Sequence, residues 1–146
     1  MSAQYTKLSD TISENEHIRM EKWGSDHWKL LAYVENRVVD YKGKLDHLNM
    51  RCNADRHPLL FHRIINEYNL WKEDTYGTRL RDGSVVGFHD DWDCLDDLEY
   101  EGLIEIISLV NGLVKMKMKG YKIVSSLREY ISSGNMYKDF TDFLYT

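Results

Sequence analysis

Residues 89–101 carry the clearest helical pattern in the chain. Asp90 and Asp91 stand at the start, where carboxylates interact favourably with the positive end of a helix dipole. Tryptophan and leucine then recur at helical spacing, and Gly102 ends the run. The pattern therefore predicts an amphipathic helix with a well-defined start and stop.

A hairpin and another helix are predicted directly after it. The segments 103–109 and 113–118 are apolar and short, and Asn111-Gly112 between them supplies the positive φ angles of a tight hairpin turn. Apolar side chains at helical spacing then predict a helix over 121–131. Residues 89–131 thus form a helix–hairpin–helix unit.

The preceding half of the chain is less regular. A helix is predicted over 27–38, with N-cap candidates at 25–26 and Gly43 after its end, and a shorter helix is predicted over 45–52. An insertion at 53–87 follows, and Asp-Gly at 82–83 predicts a hairpin within it.

The run Leu95–Ile104, the hairpin after it and Lys119-Gly120 together resemble a winged helix-turn-helix domain. The resemblance spans about 25–131 and is most specific over 88–131. It implies an α+β, winged-helix-like fold with three helices and a β-wing hairpin, an inserted β-hairpin segment and a C-terminal helix. Residues 1–24 would be a polar leader, and residues 132–146 an aromatic tail.

The predicted helix at 89–101 has the wrong charge for reading DNA. It contains seven carboxylates and no lysine or arginine, so phosphates would repel it. The leading hypothesis is a non-catalytic binding protein, an inhibitor or adaptor of cellular or viral origin, that contacts a basic protein surface through this helix. An ordinary solvated acidic face is the alternative. The proposed contact residues are Asp90, Asp91, Asp93, Asp97 and Glu101.

Positive charge concentrates in the hairpin and the insertion. A nucleic-acid-binding regulator that contacts phosphates is the second hypothesis, with nucleotide binding or ordinary surface cations as further alternatives. Lysines 115, 117 and 119 are predicted to alternate onto one face of the second hairpin strand. The candidate phosphate contacts are Arg51, Arg56, Arg79, Arg81, Lys115, Lys117 and Lys119.

The cysteines and histidines allow a metal site. Cys52 and His57, like His89 and Cys94, are separated by four residues, and a zinc ion bound by all four would tie the insertion to the acidic helix. Ordinary buried cysteines are the alternative. No recognised catalytic motif is present, so a metal-dependent enzyme that uses the His/Asp/Arg-rich insertion is the third hypothesis, and no cofactor other than zinc is predicted.

Bulk properties narrow the class of protein. The 146 residues suit one domain, the 42% apolar content is that of a globular chain, and no segment reaches the roughly 18 apolar residues of a membrane span. Two cysteines and the lack of a signal peptide predict a cytoplasmic protein without membrane contact. The aromatic tail, with Phe140 and Phe143, is predicted either to pack on the domain or to form a homodimer contact.

Overall fold

The computed structural model describes residues 7–12, 16–46 and 77–146. Within them the fold is mixed α+β, as the sequence predicts, with four α-helices and two antiparallel two-stranded sheets. Residues 47–52 of the predicted helix at 45–52, and residues 53–76 of the insertion, lie outside the described residues. The helices are α1 (Ser25–Tyr41), α2 (Asp91–Tyr100), α3 (Met118–Ser132) and α4 (Phe140–Leu144), and the strands are β1 (Thr78–Arg79), β2 (Val85–Val86), β3 (Ile104–Ser108) and β4 (Leu113–Met116).

Helix α1 forms the centre of the domain. It begins two residues earlier than the sequence pattern predicts, with Gly24 as its N-cap, and its middle buries Leu30, Leu31 and Val34. Gly43 has a φ of +87°, and a Cβ added there would lie 2.1 Å from the Val114 carbonyl oxygen. Glycine is therefore required where the end of α1 meets β4. No helix in the described ranges is both long and apolar enough to cross a bilayer.

Both predicted hairpins are present. Strands β1 and β2 pair antiparallel, with Thr78 opposite Val86, and β3 and β4 pair with Ile104 opposite Met116. Both hairpins have shorter strands than the sequence pattern predicts. In the second hairpin β4 already ends at Met116, because α3 starts at Met118 and packs Gly120 closely against the backbone of Leu103.

This early start of α3 corrects the predicted lysine stripe. Lys115 lies on β4, whereas Lys117 is the N-cap of α3 and Lys119 is inside the helix. The three lysines therefore do not alternate along a single strand.

In the core, residues from the N-terminal and the C-terminal parts of the chain pack against α1. Trp28 contacts Trp23 and Phe140 edge-to-face, with ring centroids 4.9 and 4.8 Å apart. The Trp28 indole N–H donates to the Thr141 hydroxyl at 2.7 Å, and that hydroxyl donates to the Trp23 carbonyl at 2.6 Å. Ile18 is also fully buried. Parts of the predicted leader and of the aromatic tail thus belong to the core.

Candidate metal centre

Asp97, in the middle of α2, is the hub of a buried polar cluster. Its side chain is 2% exposed, and its Oδ2 lies 2.8 Å from His27 Nε2 and 3.0 Å from His89 Nε2. The other carboxylate oxygen accepts the backbone N–H of Ile18 at 3.1 Å. One buried carboxylate therefore links α2 to three other segments of the chain.

His27 is fixed by an aromatic stack. It lies in the first turn of α1, it is fully buried, and its ring is parallel to that of Trp23 with centroids 4.6 Å apart. The Trp23 indole N–H in turn donates to the Ile18 carbonyl at 2.8 Å. The stack sets the plane of the imidazole, so that Nε2 faces Asp97.

His89 enters the cluster from a strained loop. Phe88, just before it, has a φ of +62°, a left-handed conformation that bulky residues rarely adopt, and the Phe88 side chain is 90% exposed. This backbone bend turns Phe88 outward while His89 points inward. Asp90 and Asp93 then form a capping box that holds the start of α2.

Thr78 on β1 contacts the ring nitrogen of His89 that does not face Asp97. Its hydroxyl donates to the His89 carbonyl at 2.8 Å and also lies 2.8 Å from His89 Nδ1. The Thr78 hydroxyl is also 3.3 Å from Cys94 Sγ, so its single hydrogen has three possible acceptors. His89 Nδ1 therefore contacts Thr78 whichever of the two atoms donates, and Nε2 is the ring nitrogen that faces Asp97 Oδ2 at 3.0 Å.

The carboxylate keeps its charge despite its burial. Burial is the largest effect on Asp97 and opposes ionisation, but the hydrogen bonds and the charge interactions with His27 and His89 together outweigh it and lower the pKa of Asp97 below its usual value. A buried charge is normally paired, hydrogen-bonded or bound to a metal ion. The two imidazoles and the Ile18 N–H surround the oxygens of Asp97, which makes the cluster a candidate site for a bound cation.

The three side chains can hold a metal ion. One donor atom from each of His27, His89 and Asp97 lies within 4.8 Å of the other two. Imidazole nitrogen and carboxylate oxygen are ordinary ligands of zinc, and ligands in a tetrahedral zinc site are roughly 3.3 Å apart. The separations from Oδ2 to the two nitrogens, 2.8 and 3.0 Å, are only slightly shorter than that.

The structure places one of the four predicted zinc ligands, His89, in this cluster. Cys94 Sγ is 3.7 Å from His89 Nδ1, on the opposite side of the ring from Asp97. Cys52 and His57 lie outside the described residues. Sequence reasoning missed His27 altogether, because a histidine inside a helical pattern carries no sign of what it faces.

The carboxylates of α2 differ from the solvated acidic face that the sequence predicts. Asp97 is buried, so its assignment to an exposed contact surface is wrong. The carboxylates of Asp90 and Asp93 accept backbone N–H groups in the capping box. Glu101 accepts a hydrogen bond from Arg19 at 2.9 Å. Of the other acidic residues in α2, Asp91 and Glu99 are partly buried and Asp96 is exposed.

Two of the candidate phosphate-binding arginines contact acidic residues. Arg79 lies 3.8 Å from Asp26, and Arg81 donates to Asp142 at 2.5 Å. Both contacts join the first hairpin to helices, which is a structural role. Arg51 and Arg56 lie outside the described residues.

The candidate lysines are spread around the second hairpin. Lys115 lies 3.7 Å from Glu105 on the neighbouring strand, and Lys119 donates to the Glu101 carbonyl at 2.8 Å. Lys117 is exposed at the start of α3. Two of the three lysines therefore already have contacts with the domain itself.

The histidine–aspartate cluster connects parts of the chain that are distant in sequence. His27 and Asp97 are 70 residues apart, and the Ile18 amide is 79 residues from Asp97. The cluster therefore joins segments that lie far apart in the sequence.

Comparison with known proteins finds no matching protein-family model, curated protein or solved structure.

Proposed function

We propose that the protein is a non-catalytic binding protein whose fold is stabilised by one divalent transition-metal ion, zinc, held by His27, His89 and Asp97. The observation that supports this most directly is the convergence of His27 Nε2 and His89 Nε2 on Asp97 Oδ2, at 2.8 and 3.0 Å. A zinc ion placed among these three atoms would be bound by all of them.

Burial favours a structural role for this ion over a catalytic one. The side chains of His27, Asp97 and His89 are 0%, 2% and 11% exposed. A catalytic zinc keeps a position open to water or substrate, whereas a structural zinc is enclosed and usually has four protein ligands, three of which the described residues supply here. The centre connects α1, α2 and the loop before α2, and tying such segments together is the usual task of a structural ion.

We also propose that α2, the β3–β4 hairpin and α3 form a winged-helix-like unit that acts through protein contacts. The order of these elements supports the fold assignment. The acidic character of α2 supports protein contact over DNA reading, because carboxylates and phosphates repel each other. Nucleic-acid binding through Lys117 and its neighbours stays the alternative.

Metal analysis of the purified protein tests the zinc proposal. We expect about one zinc ion per chain, as a structural site of this kind binds one ion. His27→Ala and His89→Ala should each lose the ion. His17→Ala is the matched control, since His17 stacks on Tyr100 outside the centre.

A chelator tests whether the centre holds a metal ion. If zinc occupies the centre, a chelator should lower the melting temperature of the natural chain and leave that of His89→Ala unchanged. A folded protein with no bound metal, and with a melting temperature that the chelator does not alter, would contradict the proposal.

A further inference from the structure

A groove of about 730 Å³ runs between α1 and α3, away from the histidine–aspartate centre. Ala32, Val124 and Leu127 form its apolar floor, and Tyr137 closes it on one side. Val39 stands at the edge with 66% of its side chain exposed. Among the residues that the structure describes, the groove therefore offers an apolar surface between two helices that is open to a partner.

The rim of this groove is acidic. Glu35 on α1 pairs with Arg128 on α3, and this ion pair uses the guanidinium of Arg128. Asp40 and Glu129 also line the groove, and both are exposed. The lining thus has three carboxylates against one guanidinium, and a partner with positive charge on both sides of an apolar stripe would complement it.

We propose that the α1–α3 groove binds a basic amphipathic helix of a partner protein. An apolar floor between two helices is the geometry in which a third helix inserts side chains at positions i, i+3 or i+4, and i+7. Lysines or arginines beside that stripe would reach Asp40 and Glu129. A second copy of this chain is a poor occupant, because it would bring the same acidic rim against itself.

This inference goes beyond the zinc proposal and does not depend on it. His27 lies in the first turn of α1, whereas the groove begins at Ala32 and extends to Asp40. The two proposals therefore fail separately. Zinc content tests one, and peptide binding tests the other.

The probe is a fluorescein-labelled peptide of leucine and lysine, with the leucines at helical spacing along one face. We expect saturable binding to the full-length protein, measured by fluorescence anisotropy. The double variant Asp40→Lys/Glu129→Lys should weaken binding by about tenfold or more. Val39→Ser should also weaken it, and since Val39 is largely exposed this change leaves the fold intact.

The control is the double variant Asp10→Lys/Glu21→Lys. It makes the same change in net charge at exposed positions outside the groove, and it should bind like the natural chain. An equal loss in the control would show attraction by overall charge only and would overturn the proposal. Equal binding of a scrambled peptide without an apolar face would overturn it too, as would self-association that Val39→Ser abolishes.

Discussion

Replacing Asp97 by asparagine tests the centre with the smallest change of shape. Asparagine keeps an oxygen for the Ile18 N–H, but it removes the negative charge that His27 and His89 share. Both imidazole Nε2 atoms then face an amide N–H₂ group in place of the carboxylate oxygen that they shared.

The expected cost follows from this geometry. Breaking a buried, hydrogen-bonded charge pair costs about 3–5 kcal/mol. Single domains are stable by about 5–15 kcal/mol, so Asp97→Asn should remove roughly a fifth or more of the stability. For a chain of 146 residues, the melting temperature should fall by about 10 °C or more.

Urea unfolding monitored by tryptophan fluorescence measures this loss, because Trp23 and Trp28 are fully buried beside the centre. Asp96→Asn is the matched control, since Asp96 is exposed on the same helix and should change stability by less than about 0.5 kcal/mol. If Asp97→Asn costs no more than Asp96→Asn, the carboxylate does not hold the cluster together and the reasoning fails.

Three further predictions concern pH, close packing and the buried hydroxyl. Folding lowers the pKa of Asp97, so the ionised carboxylate stabilises the fold above its unfolded pKa of about 3.9, and this stabilisation is lost as pH falls through the folded pKa. Urea unfolding midpoints measured across acid pH should show this loss, and the midpoints of Asp97→Asn should depend less on pH. Gly120→Ala should lower the free energy of unfolding by about 1–3 kcal/mol despite the better helix propensity of alanine, because the new Cβ would lie 2.1 Å from the Leu103 carbonyl oxygen. Thermal unfolding measures this, and an unchanged stability would mean that α3 can shift to make room. Thr141→Val should cost about 1–3 kcal/mol, because it leaves the Trp28 N–H and the Trp23 carbonyl without their shared partner; an unchanged urea midpoint would contradict those two hydrogen bonds.

The proposals give the two ends of α1 different roles. Its first turn carries His27 into the histidine–aspartate centre, and its last turns carry Val39 and Asp40 to the groove. Loss of zinc should therefore lower stability without directly changing the groove residues. Peptide binding by the chelated protein, at a temperature where it stays folded, would show whether the two ends are coupled.

Patterns between near neighbours were enough to predict several elements. The acidic start of α2 and Gly102 after its end predict that helix, and Asp82-Gly83 and Asn111-Gly112 predict the two hairpins. These features work locally, because a cap or a tight turn depends on residues within about four positions. The α+β class follows from them.

Only the tertiary structure decided which polar side chains are buried. On the helix pattern Asp97 looks like its acidic neighbours, and its burial depends on His27, 70 residues away, and on the Ile18 amide, 79 residues away. A carboxylate enters a core only when distant groups satisfy its charge and its hydrogen bonds. Charge and periodicity along the chain therefore determined helix α2. The candidate metal centre was determined by the packing of Ile18, His27 and His89 around Asp97 in the folded chain.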